Sequence, residues 1–188
     1  RETRLIDLQI AALKGLDAWL INSPEQEKYP EAFKRVTILS HSAGSHLVAL
    51  ADKLHGWNRN VKCLILMDSS AYDLQSRFRQ ARPYQQNIFG HLLGLSQRPL
   101  VEHDSILRSY SPALLPPRPR EGDPLKVIII TSHRLGAYYS AEKLKKSYQA
   151  PGYEASVIQY AWEHEDFPNA VGVDQRLNEL LLQVNQSR

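Results

Sequence analysis

The 188 residues contain a single cysteine, Cys63, which excludes an intrachain disulfide and a cysteine-based zinc site. One cysteine also agrees with a reducing compartment, and the cytoplasm is the expected location. No apolar run approaches the ~20 residues needed to span a bilayer, and no signal peptide is visible. Repeats and low-complexity tracts are lacking too. So is any dense Lys/Arg cluster: the formal charge is only +3, and the arginines of the 75–124 stretch are scattered without aromatic interleaving. Nucleic acid is therefore not an expected partner. What remains is 43% hydrophobic and 23% charged residues, the balance of a globular chain. The length suits one domain with a substantial core.

Hydrophobic periodicity divides the chain. Leu5, Leu8, Ala12, Leu16 and Leu20, widened by Leu13 and Trp19, predict an amphipathic first helix that Ser23-Pro24 ends. Val36 to Leu39 reads as a strand, and Leu47, Leu50, Ala51 and Leu54 recur at helical spacing after it. Val61 to Met67 and Leu125 to Thr131 are continuous apolar strands. A helix is expected over about 139–149, stopped by Pro151-Gly152, and a fourth strand over about 155–160. Val173, Leu177, Leu180, Leu181 and Val184 mark one face of a last helix. Continuous apolar strands alternating with helices predict an α/β fold, a mostly parallel sheet covered on both sides. Residues 75–124 show no sheet pattern. They read as a partly helical insertion that either caps the sheet edge or lies as a solvated surface segment.

The most informative stretch is Ser40-His41-Ser42-Ala43-Gly44, between the first strand and the helix after it. A serine at the apex of a sharp strand-to-helix turn projects its hydroxyl above the sheet, where a histidine can reach it. Such a turn brings strand and helix backbones together. The residues two before and two after the serine must then be small, and Gly44 is expected to leave no room for a large side chain. The Ala43 N–H opens the helix and points toward a developing oxyanion. Two more reactive groups follow strand ends, where open parallel sheets build their sites. Asp68 ends the second strand, and His164 follows the fourth. A neutral imidazole is what makes a serine hydroxyl nucleophilic. The other histidines, His41, His46, His55, His91, His103 and His133, show no ligand pairing. Glu163, Glu165 and Asp166 beside His164 do not complete a metal set. No metal or cofactor is expected.

The elbow resembles the Gly-x-Ser-x-Gly nucleophile elbow of the α/β-hydrolase superfamily, with Ser40 in place of the first glycine. Ser70-Ala71-Tyr72-Asp73-Leu74 and Ser111-Pro112 are similar to segments of its esterase/lipase branch, which includes carboxylesterases and kynurenine formamidases. The serine-then-histidine order, with His164 before the last helix, fits that family. The resemblance runs from the first helix onward. The family's first strands and its His-Gly-Gly oxyanion loop lie upstream of that helix, so the resemblance implies a fragment lacking the N-terminal part of the fold.

The family's acid normally follows the third strand, where this chain reads Thr131-Ser132-His133-Arg134 without a carboxylate. Some relatives place the acid after the strand that follows the elbow. That implies Asp68, within hydrogen-bond reach of His164 directly or through one water. Asp73 is a second candidate that also suits a cap or turn. Two functions stay open. One is a serine hydrolase of small-molecule esters or amides, working through an acyl-enzyme on Ser42 with His164, Asp68 and the Ala43 N–H. The other is a catalytically silent protein of the same fold used for binding or scaffolding. Substrate and oligomeric state are not legible.

Overall fold

The computed structural model describes residues 4–171 and 174–186. Helix α1 (Leu5–Asn22) and the short helices α2 (Glu25–Lys28) and α3 (Pro30–Lys34) lead into strand β1 (Val36–His41) and helix α4 (Ala43–His55). Strand β2 (Val61–Met67) is followed by α5 (Leu74–Gln80), α6 (Pro83–Leu93) and α7 (Leu100–Ser109). Then come β3 (Leu125–Thr131), α8 (Leu135–Ser147), β4 (Tyr153–Gln159), α9 (Phe167–Ala170) and α10 (Gln175–Gln186). The helix expected over about 139–149 thus begins at Leu135, four positions earlier.

The four strands form one parallel sheet in the order β1-β2-β3-β4. With strands added in sequence order, right-handed crossovers put every connecting helix on the same face. Strand alternation accordingly divides the core in two. Leu64, Leu66, Val127 and Ile129 face α4 and α8, packing with Val48, Leu50, Ala141 and Leu144. Cys63, Ile65, Met67, Ile128 and Ile130 face the other way, onto Phe167, Leu177 and Val184 from α9 and α10. Of the face expected for the last helix, Val173 lies outside the described residues. Strands β2 and β3 are almost wholly buried, whereas β1, at the sheet edge, is only half-buried. Gly152, at φ +83°, leads the chain into β4 past the Arg120 carbonyl, which would lie 2.8 Å from any added Cβ.

One expectation needs correction. Helix α1 docks on α4 and α6 through Ile6, Ile10 and Leu20, with Leu13 partly buried. The stripe of Leu5, Leu8, Leu16 and Trp19 is exposed instead. The helix carries two apolar stripes, and the period alone did not say which one meets the core. At Gly44, an added Cβ would meet only the Ser40 Cβ, at 3.9 Å. The close strand–helix approach therefore leaves room for a methyl group. Residues 75–124 are largely helical, and Leu93, Leu95, Ile106, Leu107 and Tyr110 enter the same cluster as α1, α4 and α8. Among the described residues no helix is long and apolar enough to cross a membrane.

Asp52 is fully buried on α4, and burial pushes its carboxyl up to about 6. Burial likewise pushes the neighbouring Lys53 down to about 7. A carboxyl whose folded pKa lies above its unfolded value favours folding at low pH, and that favour is lost as pH rises through about 6. Asp52→Asn is expected to gain stability relative to the wild type between pH 5 and pH 8, by about 1 kcal/mol. Urea unfolding of both proteins at the two pH values measures this, and a constant difference would contradict it.

Candidate functional site

Four strand ends converge at the carboxyl edge of the sheet. The Ser42 N–H donates to the Met67 carbonyl (2.8 Å), joining the end of β1 to that of β2. The Asp68 N–H donates to the Ile130 carbonyl (2.7 Å), joining β2 to β3, and the Tyr160 N–H donates to Thr131 (2.9 Å), joining β3 to β4. Ser42 and Asp68 are the two described non-glycine residues with positive φ, at 54° and 47°. Both sit where a strand stops and the chain must turn away from the sheet.

Ser42 has ψ −120° and directly precedes α4. The turn is fastened from below by small hydroxyls: Ser45 Oγ donates to the Met67 carbonyl (3.0 Å), and Ser40 Oγ lies 3.3 Å from both Ser45 Oγ and the Ile65 carbonyl. Ser40, which stands where the elbow pattern has glycine, thus ties β1 to β2. The Ala43 N–H belongs to the first turn of α4, whose N–H groups have no acceptor within the helix.

Asp68 is 1% exposed. Its Oδ1 accepts the Ser132 N–H (2.7 Å), and its Oδ2 lies 2.7 Å from His164 Nδ1. Arg134 Nη2 donates to the same Oδ2 and lies 2.8 Å from His164 Nδ1. Burial pushes the Asp68 carboxyl up, but the Ser132 N–H, the His164 ring and the Arg134 charge outweigh it, and the net shift is downward. An Nδ1–H donated to Asp68 leaves the His164 Nε2 lone pair free to accept a proton.

His164 opens a single 3-10 turn, His164–Asp166, in which the Asp166 carboxylate caps the Glu163 N–H (3.1 Å). The ring is also held by His41. His41 Nε2 contacts the His164 carbonyl (3.0 Å), and the two rings lie 4.6 Å apart, with Phe167 stacked on His41 at 6.0 Å. Burial, with His164 close by, lowers the His41 pKa. Among the described residues the Ser42 hydroxyl makes no hydrogen bond to the His164 ring. Nucleophile–base bonds are often long in unliganded sites and tighten around substrate.

The structure therefore brings Asp68 and His164 into direct contact and links His164 to the elbow through His41, the residue before Ser42. Asp73 stands elsewhere: it caps α5 at the Ser76 N–H (2.9 Å) and pairs with Lys143 (2.6 Å). His46 is buried against the Ala71 carbonyl (2.8 Å), and burial lowers its pKa to about 4, so it stays neutral. Sequence reasoning missed His41 and Arg134. His41 carried one signal, its place at the end of a strand next to Ser42. Arg134 was visible only as the missing carboxylate after β3. Among the described residues no group of three or more His, Cys, Asp or Glu side chains could hold a metal ion.

A positive φ at a non-glycine residue costs on the order of 1–3 kcal/mol. Ser42→Gly is expected to raise the melting temperature, with about 1 kcal/mol of stabilisation, and Ser42→Ala, which keeps a Cβ, is not. Calorimetry of the two variants checks this, and equal melting temperatures would show that the turn is unstrained. For Asp68 the sign is the ordinary carboxylate one. Its folded pKa is depressed, so its stabilisation is present above the unfolded value and is lost as pH falls through the folded one. Asp68→Asn should therefore melt below the wild type at pH 6, and the gap should narrow as pH falls below about 4. A gap that widens on acidification would contradict this.

Comparison with known proteins gives a fold. No protein-family profile and no curated protein matches the sequence. Solved structures do match. An esterase/lipase from an uncultured bacterium superposes with TM-score 0.59 at 14% identity, over 97% of this chain and 60% of its own. The Pyrobaculum calidifontis esterase gives 0.55 at 16% identity, over 96% of this chain and 60% of its own. An α/β-hydrolase from Penicillium gives 0.52 at 11%, over 96% of this chain and 71% of its own. The chain spans about 60% of the length of the two esterases.

Proposed function

On the α/β-hydrolase fold that these likenesses show, we propose that the chain carries the catalytic centre of a serine hydrolase. It would cleave a carboxylic ester or an aryl-formamide-type bond. Ser42 is the nucleophile, His164 the general base and acid, Asp68 the acid that orients the ring, and the Ala43 N–H an oxyanion donor. The observation that carries this reading is the 2.7 Å contact between the buried Asp68 carboxylate and His164 Nδ1. It gives the ring a carboxylate partner at Nδ1, on a loop that also contacts His41, the residue before the strained Ser42. The similar structures, an esterase/lipase from an uncultured bacterium and the Pyrobaculum calidifontis esterase, support the reaction class.

In this mechanism Ser42 Oγ attacks the substrate carbonyl carbon while His164 Nε2 takes the hydroxyl proton. The carbonyl oxygen becomes an oxyanion against the Ala43 N–H. Collapse of the tetrahedral intermediate breaks the bond to the alcohol or amine, which leaves with the proton from Nε2. Water, deprotonated by His164, then attacks the acyl-enzyme, and Ser42 recovers its proton as the acid departs. No cofactor enters. The partner is a small-molecule ester or amide. Residues 75–124 would form a cap within the single domain, beginning at α5 shortly after Asp68. The single cysteine supports a cytoplasmic location.

A silent protein of the same fold is favoured by one observation: the Ser42 hydroxyl is not hydrogen-bonded to the ring, while Arg134 sits against Nδ1. A fluorophosphonate probe separates the two readings. Labelling of the wild type at neutral pH, lost in Ser42→Ala and reduced at least a hundredfold in rate in His164→Ala, is the expected result. Labelling that persists in Ser42→Ala would reject Ser42. A wild type that never labels would favour the silent reading.

A further inference from the structure

The turn after β3 supplies a cation instead of a carboxylate, and this cation is built into the site. The Arg134 main-chain N–H and Nε both point to the Ser132 hydroxyl (3.3 and 3.2 Å), and Nη2 lies 3.3 Å from the Asp68 carbonyl while also donating to Asp68 Oδ2. Its side chain is 43% exposed, and the carboxylate it meets is fully buried. Asp68 Oδ2 thus has two partners, the guanidinium and His164 Nδ1, and these lie 2.8 Å from each other.

We propose that Arg134 is a positioning residue of the Asp68–His164 pair, a fixed cation that pairs the buried carboxylate in place of a charged His164 ring. The inference rests on the reading of His164 as the general base.

Two physical consequences support it. First, a carboxylate buried beside a neutral imidazole is an uncompensated charge, and such charges are unfavourable unless paired. Arg134 pairs it, so Asp68 stays ionised without demanding a proton on the ring. Second, an imidazolium would place two cations in contact at Nδ1, which disfavours the charged ring. Nδ1 also cannot donate to Asp68 and accept from Arg134 at once. With the guanidinium engaged by the carboxylate, the Nδ1–H bond to Asp68 is the arrangement that leaves Nε2 as the base. The charged and titratable groups around the ring act on it from several elements. His41 comes from the end of β1, Asp68 from the end of β2 and Arg134 from the turn after β3. Glu163, Glu165 and Asp166 lie on the ring's own loop. Of these, Arg134 is the only permanent cation.

Proton NMR titration of the His164 ring signals, assigned by their loss in His164→Gln, tests the inference without any substrate. In Arg134→Gln the midpoint is expected to rise by about one pH unit relative to the wild type. In Arg134→Lys, which keeps the charge, it is expected to stay near the wild-type value. Arg134→Met provides a second neutral variant should the first fold poorly, and it should shift in the same direction. An unmoved midpoint in the neutral variants, or an equal shift in Arg134→Lys, would overturn the proposal. If the wild type labels with the fluorophosphonate, the acid limb of its labelling rate should move with the ring midpoint across the same variants. Absence of labelling together with the NMR shift would leave Arg134 as a partner of the pair and remove only the hydrolase reading.

Discussion

The buried carboxylate of Asp68 is the constraint on which the rest of the site depends. It is the meeting point of three strand ends. Its backbone N–H binds the end of β3, and its Oδ1 binds the Ser132 N–H in the turn beyond β3. Its Oδ2 holds both the ring that follows β4 and the guanidinium that opens α8. A carboxylate with this many donors is held ionised against burial, as the net downward shift of its pKa reflects. The positive φ at Asp68 follows from the same constraint. To turn its side chain across β3 toward His164, the chain must leave the extended conformation at the first position after β2.

The elbow obeys a second, steric constraint, and the sequence meets it in an unusual way. Where a glycine would only avoid contact, Ser40 makes contact, and it works with Ser45 to tie β1 and the start of α4 to the carbonyls of β2. The Cβ of Ser40 is also the atom a side chain at Gly44 would first meet, at ordinary van der Waals distance. The turn is therefore shaped by hydrogen bonds to the neighbouring strand as much as by the absence of side chains. That explains how the departure from the Gly-x-Ser-x-Gly spelling coexists with Ser42 in the strained conformation expected of an elbow.

Much of the fold was legible because its determinants are local. Continuous apolar runs gave β2 and β3 at the observed limits, and the helical spacing after Gly44 gave α4. The parallel sheet followed from their alternation. The buried face of α1 was not legible: both of its stripes are apolar, and only docking on α4 and α6 selects Ile6, Ile10 and Leu20. Of the proposed site, Ser42 and Asp68 drew attention because each directly follows a strand, and His164 because it lies in the loop between β4 and α9, where topology gathers reactive groups. Asp73, which shares a neighbourhood in sequence with Asp68, is directed away from the site by its role at the start of α5 and its pairing with Lys143.

Arg134 and His41 show what such reading leaves out. Their contribution lies in side chains from different strand ends converging on one ring, and convergence is set by register: Ile130 lies beside Met67, and His41 beside Met67 on the other edge. With these three positions level, the residues one to four places beyond them share one small volume. A cation after β3 then falls against the carboxylate after β2, and a histidine ending β1 falls against the loop after β4. A turn that looked deficient because it lacked an acid is, in three dimensions, the turn that neutralises the acid supplied by its neighbour. The charge balance of the site belongs to the sheet as a whole and cannot be assigned to any one of its loops.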